Sequence, residues 1–97
     1  MAPHPLVVNG RQAFQAGDLP GATSLVEMRL KEAPGDIQAL ELKAVILQGR
    51  GDAAGAEAVM RQAIATEPGC DWARNDLTVL LRETGRRAAA ELAAREA

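Results

Sequence analysis

Few side chains here are of a type that drives a reaction, and their spacing keeps them apart. Cys70 and His4 are the chain's one cysteine and one histidine. A nucleophilic thiol needs an imidazole or a cation beside it to hold the thiolate. Cys70 follows Gly69 in a turn, which predicts exposure, yet its neighbours are Gly69 and Asp71. A lone cysteine forms neither an internal disulfide nor a cysteine-based zinc cluster. His4 stands between Pro3 and Pro5 near the N-terminus. Glu41 and Asp76 could pair as acid and base, but no histidine or metal-ligand spacing accompanies them, so a solvated face is expected. Arg11 and Arg82 read either as solvated charges or as ligands for an anion. No catalytic residue, metal site or cofactor is expected. Recognition chemistry is better represented. Phe14 and Trp72, the only large rings, are of the kind enriched at interface hot spots. Each is open to two readings, an anchor at a binding surface or a packing residue that seals a junction.

The elements that position these residues repeat. Gly51-Asp52 follows Gly17-Asp18 by 34 positions, Pro68-Gly69 follows Pro34-Gly35 by the same 34, and Gly85 echoes Gly51 again. Such a period marks a helical repeat array. It divides the chain into units 3–36, 37–70 and 71–97, the last cut short. Apolar residues make up 47% of the sequence, much of it alanine, the best helix former. An all-α fold of about six helices follows: Pro5–Ala16, Leu19–Ala33, Ile37–Gly49, Ala53–Thr66, Asp71–Thr84, and Arg86 to the end. Asp18, Asp36 and Asp52 stand where N-caps are needed, and Pro20 falls in a first turn, where its missing N–H costs nothing.

The net charge of −2 comes from interspersed acids and bases. With only Arg86-Arg87 as a basic cluster, nucleic acid is not an expected partner. No stretch reaches the roughly 20 apolar residues of a membrane span, and the N-terminus does not read as a signal peptide. A soluble cytoplasmic protein is expected.

The units resemble the tetratricopeptide repeat. Leu40, Ala44, Leu47, Gly51-Asp52, Ala56, Met60, Ala63 and Pro68 fill that family's slots in the second unit. The first offers Leu6, Gly10, Ala13, Gly17-Asp18, Ala22, Val26 and Pro34, and the third Leu77, Thr78, Leu81, Gly85, Ala90, Ala94 and Ala97. The sequence also departs from the pattern: Ala13, Leu47, Leu81, Val26 and Met60 replace the aromatics usual at two slots, Arg29 stands where a small side chain is expected, and Arg74 where a large apolar one is. The resemblance implies an α-solenoid of antiparallel helix pairs wound as a right-handed superhelix, with the first helices of successive units lining a concave groove.

On that arrangement the groove candidates are Val7, Arg11 and Phe14 from the first unit, and Glu41, Leu42, Val45 and Gln48 from the second. The third adds Trp72, Asn75, Asp76, Val79 and Arg82, while His4, Gln15 and Gln38 stand beside them. An apolar strip of Val7, Leu42, Val45 and Val79 flanked by both charge signs suits a peptide. Relatives that grip a C-terminal carboxylate use basic and amide residues at groove slots that hold Val7, Arg11, Leu42, Trp72 and Asp76 here. Only Arg11 could serve, so that ligand is not expected. The resemblance implies a non-enzymatic module that binds a protein or peptide. Two alternatives stand beside it. One is an N-terminal docking domain of a larger transferase or oxygenase, as in bacterial proteins of similar build, suggested by the incomplete third unit. The other is homo-oligomerisation through the alanine-rich terminal helix.

Overall fold

A computed structural model describes residues 2–96, with side chains through Ala88. Every element in it is a helix: α1 Pro5–Gln15, α2 Leu19–Glu32, α3 Ile37–Gly49, α4 Ala53–Thr66 and α5 Asp71–Glu96. The first four match the sequence expectation to within a residue at each end.

One turn, built twice, reverses the chain inside each unit. Gly17 and Gly51 adopt left-handed backbone angles, φ 84° and 79°, which cost glycine nothing. This lets Asp18 N–H reach Ala13 O and Asp52 N–H reach Leu47 O, both at 2.9 Å. Gly17 N–H and Gly51 N–H donate to Phe14 O and Gln48 O at 3.0 Å. Together these bonds close the preceding helix. The aspartate then opens the next one: Asp18 Oδ1 accepts from Gly21 N and Asp52 Oδ1 from Gly55 N, each at 2.9 Å. A Cβ on Gly21 or Gly55 would collide with the capping carboxylate, so Gly-Asp-x-x-Gly works as a single device.

A second turn joins the units. Asp36 N–H donates to Ala33 O at 3.1 Å and Cys70 N–H to Glu67 O at 3.0 Å, across Pro34-Gly35 and Pro68-Gly69. Asp36 then caps α3, accepting from Gln38 N at 3.0 Å and Ala39 N at 3.2 Å. Cys70 holds the corresponding place before α5 and is 4% exposed, contrary to the exposure its turn position suggests. A thiol is a weak hydrogen-bonding group and behaves as a small apolar side chain, so it turns into the core where the aspartate turned to the helix end.

Each helix packs on the next, and α1 also packs on α3; among the described residues α3 and α5 make no equally close approach. Val7, Ala22, Val26, Ala39, Leu42 and Ile46 form one core cluster. Leu40, Ala44, Ala56, Val59, Met60, Ala63, Cys70, Ala73 and Leu80 form the other. Helix α3 feeds both. Alanine supplies much of this core, and small side chains let helices approach closely. Gly10 does the same for α1 and α3, since a Cβ there would stand 3.0 Å from Leu42 Cδ2.

The expectation of six helices is corrected by α5, which runs unbroken from Asp71 to Glu96. Gly85 keeps a helical backbone and is not among the left-handed glycines. The reason lies one residue on: Arg86 stands where Asp18 and Asp52 stand, and a guanidinium has no lone pair with which to accept a capping N–H. With no helix among the described residues folded back over α5, two third-unit core slots open to solvent. Leu81 is 42% exposed and Thr78 is exposed, while Leu77 stays half-buried. The expected slots Ala90, Ala94 and Ala97 lie outside the residues whose side chains are described.

Two glycines 34 positions apart should therefore respond oppositely to one substitution. Gly51→Ala forces alanine into a left-handed conformation and should destabilise the fold by about 1 kcal/mol. Gly85→Ala meets no atom within 4 Å and should stabilise α5 by about 1 kcal/mol. Urea unfolding followed by circular dichroism measures both; shifts of the same sign would remove the turn as the cause.

Candidate binding grooves

Helices α1 and α3 lie side by side and leave a cleft between them of about 320 Å³. Arg11, Phe14 and Gln15 line it from α1, and Glu41, Leu42 and Val45 from α3. Both triplets use helical spacing, which aims three side chains at one line. Five of the six were expected in the groove as candidates and the sixth, Gln15, beside them. Phe14 is half-buried beside the end of α3: a Cβ on Gly49 would stand 3.5 Å from Phe14 Cε1. Arg11 Nη2 and Glu41 Oε1 face each other at 4.0 Å with 44% and 38% of their side chains exposed. At that separation and exposure the pair adds little stability, and either charge is free to meet a ligand.

The rest of the expected strip does not join this cleft. Val7 is fully buried and Leu42 is 3% exposed, so both belong to the core, with Leu42 forming the cleft's floor. Val7 is drawn inward because α1 packs on two helices, α2 and α3, and its apolar stripe is covered from both sides. Gln48 lines a smaller cleft with Gly51, Ala53, Leu80, Glu83 and Arg87. On α5, Asn75, Val79 and Arg82 are exposed and Asp76 is half-buried, and none of them lines the α1–α3 cleft. Trp72 is half-buried against the second core cluster, and its Nε1 is buried with no protein partner. Packing is therefore a large part of its role.

A cleft of about 820 Å³ at the inter-unit end was not foreseen as a site. His4, Arg29, Asp36, Gln38 and Glu67 are among its lining residues. Opposite charges flanking Pro34-Gly35 were the signal in the sequence. Arg29 Nε donates to Asp36 Oδ2 at 2.6 Å, joining the end of α2 to the cap of α3. Arg74 acts similarly at the next junction, donating from Nε to Pro68 O at 2.7 Å. The two arginines that depart from the repeat pattern thus clamp the turns between units. Lys43 adds a 3.1 Å contact from α3 to Glu27 on α2.

His4 is also occupied locally, its Nδ1 accepting from Leu6 N at 3.1 Å as the cap of α1. Among the described residues no cluster of three or more His, Cys, Asp or Glu could hold a metal ion, and no helix is long and apolar enough to cross a membrane.

Burial of Asp36, the largest single influence, pushes its carboxyl upward, but the Arg29 hydrogen bond, the Ala39 N–H, the Arg29 charge and the Gln38 N–H together outweigh it. The net result is a value below the ordinary 3.8. A lowered carboxyl stabilises the fold above its unfolded value, and the gain is lost as pH falls through the folded one. Asp36→Ala should cost about 1–2 kcal/mol near neutral pH through loss of the cap. Urea midpoints of the two proteins should converge as pH drops below 3.8; a constant gap down to about pH 2 would exclude an ionised cap as its source.

Compared with protein families, curated proteins and solved structures, the chain matches none of them.

Proposed function

We propose that this chain is a non-enzymatic interaction module, a right-handed solenoid of tetratricopeptide-type helix pairs, that holds a peptide or partner surface in the α1–α3 cleft. The repeat reading is supported by hydrogen bonds that recur residue for residue at Gly17-Asp18 and Gly51-Asp52, and by helices that pack in chain order.

The observation that carries the binding reading is the composition of the cleft. Phe14, Leu42 and Val45 give it an apolar floor and walls, and Arg11 and Glu41 place one charge of each sign at its rim. Apolar anchors of a bound segment would settle on the first set, while its polar groups meet the second. The candidate reactive groups have other roles: Cys70 is buried in the core and His4 caps a helix.

A displayed library of random peptides, panned on the full chain, supplies the probe. Selected peptides should shift the NMR resonances of Arg11, Gln15, Glu41 and Val45. Val45→Glu should weaken them at least about 10-fold, since a carboxylate would be desolvated against the peptide. Unchanged affinity in that variant, or shifts confined to α2 and α4, would overturn this placement.

A further inference from the structure

Helix α5 carries a stripe of its own, outside the α1–α3 cleft. Trp72, Asp76, Val79, Arg82 and Arg86 follow one another at three- and four-residue steps and so share one face. Val79, at its centre, is 48% exposed; Arg82 and Arg86 are exposed, and Trp72 and Asp76 half-buried. Charge along the stripe is polarised, with Asp76 before the valine and Arg82 and Arg86 after it; exposed Glu83 shares the arc, and in a pairing centred on Val79 it falls opposite the partner's Asn75, which is neutral.

That polarity is self-complementary in one orientation only. When a second α5 is laid antiparallel with Val79 against its own copy, Asp76 falls opposite the partner's Arg82. Trp72 falls opposite the partner's Arg86, where a guanidinium can rest on the ring. The two-fold axis makes each contact twice. A parallel pairing would set acid on acid and base on base.

We propose that α5 pairs antiparallel with the α5 of a second copy across Val79, making the chain a weak homodimer. The occupant is fixed by charge: the stripe presents both signs, in mirrored order, about one exposed apolar residue. The lost reversal at Gly85 contributes, because no described helix folds back beside Leu81 and the described part of α5 beyond Leu80 is largely exposed. Two helices bury less than the roughly 1,200 Å² typical of stable complexes, so association is expected only at high protein concentration. The surface shares no residue with the α1–α3 cleft, and the two readings stand or fall separately.

Sedimentation velocity of the full chain over rising concentration tests the pairing. A monomer–dimer equilibrium is expected, weakened about 10-fold or more by Asp76→Arg or by Arg82→Asp, because each reversal creates two like-charge contacts. The double variant Asp76→Arg/Arg82→Asp should recover to within about 3-fold of the original, since the pairs are restored with signs exchanged. Should a reversal disturb folding, Val79→Cys on a Cys70→Ala background gives a second readout. Oxidised glutathione should link two copies through residue 79, each thiol giving up its proton as the oxidant is reduced to two free thiols. A chain that stays monomeric throughout overturns the proposal. So does a dimer indifferent to both reversals, or a residue-79 thiol that forms no dimer.

Discussion

The fold depends on whether a helix can be closed and reopened within three residues. A left-handed glycine allows closure, and an aspartate immediately after it allows reopening by accepting an N–H of the next helix. Both conditions hold at Gly17-Asp18 and Gly51-Asp52, and the chain reverses at each. At Gly85 the glycine is present, but Arg86 cannot accept that N–H, so Gly85 keeps a helical backbone and the helix continues to Glu96. Loss of the capping aspartate thereby accompanies the difference between two hairpins and one continuous 26-residue helix.

The core built by these reversals is light in side-chain volume and close in backbone spacing. Ala22, Ala39, Ala56, Ala63 and Ala73 are fully buried, and Gly10 lets α1 settle onto Leu42. Alanine contacts supply less transfer energy than large side chains would, which gives weight to the polar clamps between units. Arg29 on Asp36 and Arg74 on the Pro68 carbonyl bridge the two junctions between units. Hydrogen bonds to a charged group are about twice as strong as neutral ones, so two arginines at positions that break the repeat pattern reinforce the stacking it needs.

These constraints also distribute the accessible surfaces. Close packing of α1 on α3 draws Val7 and Leu42 into the core and leaves Phe14 and Val45 as the walls of a short cleft, with Arg11 and Glu41 above them. Helix α5, held mainly through α4, keeps its stripe about Val79 outside that cleft. The residues expected to share one groove thus fall in two places, the α1–α3 cleft and the exposed face of α5.

Most of the helical layout was legible in the residues, because a 34-position echo of Gly-Asp and Pro-Gly is a local signal, and turn and cap chemistry act over three or four residues. Asp18, Asp36 and Asp52 cap as their positions implied, and the α1–α3 cleft is lined by residues that the repeat resemblance, together with helical spacing, had named. Other outcomes required the packed structure. Which apolar residues on α1 and α3 are covered depends on how many neighbours each helix has, so Val7 could not be separated from Val45 by periodicity. The inward turn of Cys70 and the reach of Arg29 across Pro34-Gly35 depend on side chains meeting across a junction, not along a helix. The sequence determined where the chain can turn, because that is decided by backbone geometry and the nearest acceptor. Tertiary structure decided which faces remain open, because burial is a property of neighbours.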